Sequence, residues 1–174
     1  MDMTAESAAC SDRLSPTFNA LVRDIETRPP RCVEPSTSLI EAAQRMKQLE
    51  IGMLPVCLDG VLIGTVSDRD IAVRAVANGF NPGLTRVSDV MSRELVCCRG
   101  DDTLEAAARI MEATRSWRLL VLDADQRLTG ILTVADMALR TQRRRLVGEI
   151  VGSLSRPNRA DPLTTEATNA DGNG

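Results

Sequence analysis

Ser38-Leu-Ile-Glu-Ala-Ala-Gln-Arg-Met46 returns as Thr103-Leu-Glu-Ala-Ala-Ala-Arg-Ile-Met111, an offset of 65, and Leu39, Ala42, Ala43 and Met46 meet identical residues. The same offset aligns Val22-Arg-Asp-Ile25 with Val87-Ser-Asp-Val90 upstream. Downstream, Gly64 and Asp70 match Gly130 and Asp136 at an offset of 66. The extra residue falls between Leu58-Asp-Gly60 and Asp123-Ala-Asp-Gln126, where a turn absorbs it. One unit is written twice.

Each copy reads as strand, helix, strand, strand, helix, an α/β (α+β) order. In copy one a short extended stretch at 31–33 precedes a helix with Leu39, Ala42, Ala43, Met46 and Leu49 on one face. Strands at 53–57 and 61–66 flank Asp59-Gly60, a strong hairpin turn, and a helix over 68–77 ends at Asn78-Gly79. Copy two predicts strands at 95–98, 118–122 and 128–132, with helices over 103–113 and 134–145. A unit of about 60 residues buries little surface alone. Two copies packed sheet to sheet share a core, which puts repeat 1 at 21–80, a linker at 81–86 and repeat 2 at 87–145. Residues 1–17 and a tail over 146–174 are rich in small polar residues and are expected to be mostly disordered.

Composition narrows the function. Aromatic residues are 2% of the chain, which argues against base stacking on single-stranded nucleic acid. The net charge of −3 argues against an anionic surface as partner. The chain has no histidine, so the commonest general base and zinc ligand are missing. No stretch resembles a signal peptide or membrane span, so a cytoplasmic protein is expected, with no membrane partner. The five cysteines, Cys10, Cys32, Cys57, Cys97 and Cys98, are then expected to be mostly reduced.

The duplicated chemistry lies in Gly64-Thr-Val-Ser67-Asp-Arg-Asp70 and Gly130-Ile-Leu-Thr133-Val-Ala-Asp136. A hydroxyl residue ends a strand, and an aspartate follows three residues later in a helix. That spacing makes a capping box. The same helix N-terminus can also receive a phosphate, and the carboxylate can accept ribose hydroxyls. The two readings are compatible.

Taken together, the repeated order resembles a tandem pair of cystathionine-β-synthase (CBS) domains, a Bateman module. Val87-Ser-Asp-Val-Met91, Ile51-Gly-Met-Leu-Pro-Val56, Asp59-Gly60 and the span from Gly64 to Asp70 carry the resemblance, over roughly residues 21–139. It implies a cleft between repeats that binds an adenine nucleotide (AMP, ADP or ATP) or a related adenosyl ligand as a regulatory ligand, with no catalytic cofactor. By position, Asp70 and Asp136 would hold ribose hydroxyls, and Ser67 and Thr133 would meet ribose or phosphate. Backbone near Val33 and Cys98 would face adenine, Met53, Leu54 and Pro55 would pack on the base, and Arg69 would meet phosphate. Copy two departs from the pattern: Leu119-Leu120 replaces Leu-Pro, and Ala135 stands opposite Arg69, with Arg118 as the substitute charge. Glu26 stands where copy one would often carry methionine. Copy one is therefore the fuller expected site. The resemblance also implies a homodimer built through helices and an effector protein regulated in trans. A dimerisation module with lapsed nucleotide sites is the alternative, and an enzyme is not expected.

Three features remain. Cys97-Cys98 reads as strand packing, because neighbouring side chains in a strand face opposite ways. The basic run Arg140-Thr-Gln-Arg-Arg-Arg145 reads as a solvated helix end, and Trp117 as a packing residue at a rim.

Overall fold

The computed structural model describes residues 20–156. The terminal expectations for 1–17 and for the tail beyond Arg156 lie outside the described residues.

The two long helices form for the same reason at the same repeat position. Helix α2 (Leu39–Leu49) starts where Ser38 Oγ accepts the Glu41 N–H at 3.2 Å. Helix α5 (Leu104–Thr114) starts where Thr103 Oγ1 accepts the Ala106 N–H at 3.2 Å. Each ends in one left-handed residue, Glu50 (φ 54°) or Arg115 (φ 53°). The following N–H then closes on the carbonyl of Met46 or Met111, both at 3.0 Å.

Strands β1 (Met53–Leu58) and β2 (Val61–Ser67) form an antiparallel hairpin whose turn residues, Asp59 and Gly60, both have positive φ. In copy two, β3 (Cys97–Arg99) runs parallel to β4 (Arg118–Leu122), which pairs antiparallel with β5 (Leu128–Thr133). The first strand of copy one contracts to a single bridge, Val33 to Val56, the counterpart of Cys98 to Val121.

The repeats are joined by exchange. Short helix α1 (Val22–Ile25) opens repeat 1 but packs in the copy-two core with Leu104, Leu119 and Leu132. Short helix α4 (Val87–Val90) opens repeat 2 but packs in the copy-one core with Leu39, Leu54 and Val66. Just beyond them, Thr27 bridges to Ile131 on β5 and Ser92 bridges to Thr65 on β2. Each entering segment thus completes the other copy's sheet, and the chain is an α+β pair of β-α-β-β-α repeats.

Exchange explains the duplicated glycines. A Cβ on Gly64 would lie 2.8 Å from the Ser92 carbonyl oxygen and 3.0 Å from Met91 Sδ. A Cβ on Gly130 would strike the carboxylate of Glu26, which occupies the place of Met91 in the other copy. Glu26 is 5% exposed, ion-paired with Arg28 and bonded by Thr129 Oγ1 at 3.3 Å.

Three expected elements differ. The copy-one helix over 68–77 is one α-turn, α3 (Asp68–Asp70), followed by a π-turn at Ile71–Ala75 and a 3₁₀ turn at Val76–Asn78. The copy-two helix over 134–145 stops early as α6 (Val134–Arg140). Thr141 turns extended there, and its hydroxyl bonds back to the Met137 carbonyl in place of a further helical turn. The start of the expected tail is helix α7 (Arg144–Leu154), which packs on α5 and α6 with Ile150 fully buried. That cover buries Ala108 on α5, whereas its counterpart Ala43, like Leu49, is exposed on α2.

Gly64→Ala should force the exchanged segment at Ser92 away from β2, costing about 2 kcal/mol. A lowered urea midpoint with an unchanged slope checks this; an unchanged midpoint would show that the segment yields freely.

Candidate functional site

Both hydroxyl–aspartate motifs form complete capping boxes. Ser67 Oγ accepts the Asp70 N–H at 3.1 Å, and Asp70 Oδ2 accepts the Ser67 N–H at 2.9 Å and its hydroxyl at 2.6 Å. In copy two, Thr133 Oγ1 accepts the Asp136 N–H at 3.0 Å, and Asp136 Oδ2 accepts the Thr133 N–H at 3.0 Å and its hydroxyl at 2.6 Å. The Asp70 and Asp136 side chains are only 17% and 13% exposed, so these bonds are well shielded.

The second carboxylate oxygen meets an arginine one turn later. Asp70 Oδ1 lies 3.4 Å from Arg74 Nε, and Asp136 Oδ1 lies 3.7 Å from Arg140 Nε. Arg74 Nη1 donates to the carbonyls of Val90 (3.0 Å) and Met91 (3.3 Å). Arg140 Nη1 donates to the carbonyls of Ile25 (3.2 Å) and Glu26 (3.3 Å). The aspartate orients the guanidinium, and the guanidinium holds the last carbonyls of the exchanged helix. Sequence reading passed over Arg74, and it placed Arg140 on a solvated helix end. The available signal was an Asp-x-x-x-Arg spacing duplicated at the repeat offset. Two further arginines of the basic run are also engaged: Arg143 pairs with Glu105, and Arg145 Nε lies 2.9 Å from Glu149 Oε1.

A cavity of about 420 Å³ opens between the repeats. Glu50 to Met53 line one side, and Thr27, Trp117, Arg118, Ile131 and Thr133 to Asp136 line the other. Of the expected site residues, it brings together Met53, Arg118, Thr133 and Asp136. Leu54 and Leu119 are fully buried in their own repeat cores, with Val33 and Cys98 beside them. Pro55 is buried in β1, and its carbonyl accepts the Val33 N–H at 2.9 Å. Ser67, Arg69 and Asp70 do not line this cavity, so it lies at the copy-two motif.

Thr27 and Trp117 are two of the wall residues that lay outside the expected set. Trp117, 45% exposed, stands on the cavity wall. Thr27 arrives by exchange and donates from Oγ1 to Asp136 Oδ1 at 3.1 Å. Asp136 therefore accepts three hydrogen bonds, two on Oδ2 and one on Oδ1, and Oδ1 is also ion-paired with Arg140. Asp70 has no counterpart of the Thr27 hydrogen bond among the described residues.

Cys98 is buried, and burial, then the charges of Asp102, Cys97 and Glu26, push its thiol up to about 12. Burial also raises the Cys97 thiol. Both stay protonated at neutral pH, as expected for packing cysteines. Among the described residues, no group of three or more acidic or cysteine side chains is placed to hold a metal, and no helix is long and apolar enough to cross a membrane.

Two exchanged α+β repeats with a shared cleft define a tandem-repeat regulatory fold. The CBS domain family matches residues 22–76 and 87–140, and the chain belongs to that family. It is 37% identical over 137 residues to the CBS domain-containing protein YhcV of Bacillus subtilis, covering 79% of this chain and 96% of that one. It is 32% identical over 117 residues to Hypoxic response protein 1 of Mycobacterium tuberculosis, covering 67% of this chain and 81% of that protein. Among solved structures, the CBS domain pair of protein MJ0100, in complex with 5'-methylthioadenosine and S-adenosyl-L-methionine, superposes with a TM-score of 0.63. That match is 27% identical and covers 75% of this chain and 98% of the other.

Arg74→Ala and Arg140→Ala should each lower stability by about 1 kcal/mol by freeing the exchanged carbonyls. Urea unfolding of the two variants measures the loss, and no shift in either would reduce the clamps to surface contacts.

Proposed function

We propose that the chain is a regulatory CBS pair whose copy-two cleft takes an adenosyl ligand, an adenine nucleotide such as AMP, ADP or ATP or a relative of it. The observation that carries this reading is the cavity between the repeats, where the polar groups of Arg118, Thr133 and Asp136 converge on an apolar wall of Met53, Trp117 and Ile131. Met53 and Trp117 offer flat or adaptable apolar surface to a base. Arg118, half-buried at the start of β4, supplies positive charge for phosphate, where Ala135 has none. The MJ0100 pair, which holds two adenosyl compounds, supports the ligand class. Binding would favour one arrangement of the two repeats, read by an effector protein in trans, as in a population shift without turnover. A homodimer and a cytoplasmic setting belong to the same proposal.

The second reading, a pairing module with lapsed sites, is favoured by one observation. Both aspartates are already committed to caps and arginines, and Ser67, Arg69 and Asp70 lie outside the cavity. The two readings part on binding.

The chain has one tryptophan and no tyrosine, so Trp117 emission reports on the cleft directly. Titration with AMP, ATP or S-adenosylmethionine should change that emission in step with calorimetric heat. Silence in both at millimolar ligand would leave the pairing module. Arg118→Ala should weaken AMP and ATP by about tenfold while sparing uncharged 5'-methylthioadenosine, because a charge-assisted bond contributes roughly 1.5 kcal/mol. Equal weakening of both would remove Arg118 from the phosphate role. Thr27→Val should tighten nucleotide binding several-fold if ribose accepts the place that the threonine hydroxyl now fills on Asp136. Weaker binding would show that Thr27 serves the ligand itself.

A further inference from the structure

Cys32 and Cys57 meet on copy one, away from the cleft. Cys32 lies beside the single bridge that ties the entry to α2 onto β1, where the Val33 N–H reaches the Pro55 carbonyl and the Cys57 N–H reaches the Val33 carbonyl, each at 2.9 Å. Strand alternation sends Val33 and Val56 into the core and leaves Cys32 and Cys57 on the opposite face. The pairing register of β1 shifts between Val56 and Cys57, and such a shift re-aims the side chain that follows it. Cys57 Sγ donates to Cys32 Sγ at 2.8 Å. Both residues are half-buried, and both line a cavity of about 650 Å³ with Glu34, Thr37, Glu41 and Arg45, so a small reagent can reach them. The arrangement belongs to copy one: the counterparts in copy two are Cys97 and Leu122.

We propose that Cys32 and Cys57 form a reversible dithiol–disulfide switch that exchanges with a small-molecule disulfide of the glutathione type. Burial, then the hydrogen bond and charge of Cys32, push the Cys57 thiol up to about 12. As the donor to Cys32 Sγ, Cys57 holds its proton, and Cys32 is the sulfur that attacks first. Its thiolate attacks one sulfur of the oxidant, the oxidant's S–S bond breaks, and one glutathione thiolate leaves. Cys57 then gives up its proton and attacks Cys32 Sγ in the mixed disulfide, which expels the second glutathione thiolate. Two protein thiols are oxidised, and one glutathione disulfide is reduced to two thiols. The bond would fasten the entry to α2 onto β1, where the protein otherwise has a single bridge.

This proposal is independent of what the cleft binds. The full-length chain, native and reduced, is incubated with excess glutathione disulfide, quenched in acid, blocked with N-ethylmaleimide and digested with trypsin. The expected product links the peptide carrying Cys32 (residues 32–45) to the peptide carrying Cys57 (residues 48–69), and dithiothreitol releases it. Cys57→Ser should let the Cys32–glutathione adduct accumulate about tenfold above its wild-type level, because the intramolecular resolving step is gone. A linked pair in the native wild type supports the switch. Cys32 and Cys57 both recovered as maleimide adducts, or linked only after denaturation in urea, would overturn it.

Discussion

Everything in this fold depends on the exchange of the two entering segments. The helix that opens repeat 1 fills the core of repeat 2, and the helix that opens repeat 2 fills the core of repeat 1. A unit of about 60 residues buries too little apolar surface to stand alone, and here each unit also lacks part of its own core. The two crossings are held by the same device. A strand-ending hydroxyl residue fixes an aspartate, the aspartate aims an arginine one turn later, and the arginine binds the last carbonyls of the incoming helix. The aspartates thus have a structural task that holds whether or not a ligand is present.

Pseudo-symmetry stops at the places where function can enter. Glu26 and Met91 occupy equivalent positions, but one is a buried charge that needs Arg28 and Thr129 while the other is apolar. Helix α7 covers α5 and α6, and the corresponding strip between α2 and the π-turn, with Ala43, Ile71 and Ala72, lines a surface hollow instead. The described cleft opens at the copy-two motif. These differences arise from single residues and one added helix, because the backbone frames of the two repeats share caps, bulges and bridge positions.

The duplicated unit was legible because its signals are local. Ser38 and Thr103 cap their helices, Asp59-Gly60 turns its hairpin, and Ser67 and Thr133 sit three residues before their aspartates, all within a few positions of chain. The exchange was not legible, because periodicity reports that Val22 and Val87 are buried but not which core buries them. The stop of α6 at Arg140 depends on a hydroxyl back-bond and on carbonyls 115 residues away in sequence, and no local signal carries either. The residue-by-residue carry-over named Met53 for the copy-one site and Arg118, Thr133 and Asp136 for the copy-two site, and the structure brings all four to one cavity. The carry-over could not foresee Thr27 or Trp117, which reach that wall through exchange and through the chain's path after α5. Leu54 and Leu119 show the limit of reading a strand by motif: alternation turns both into the cores.

The shared carboxylate of Asp136 suggests how a cleft could speak to the rest of the molecule. A ligand hydroxyl that donates to Asp136 Oδ1 competes there with Thr27 and Arg140. Thr27 carries the backbone bridge to Ile131, with N–H to carbonyl distances of 2.9 and 3.2 Å, and Arg140 holds the end of α1 two residues earlier. Occupation of that one oxygen therefore bears on the segment that joins the repeats, with no need for a long chain of contacts. Differential binding is the only source of such a shift, and the one bond exchanged contributes about 1 kcal/mol to it, a several-fold change in population.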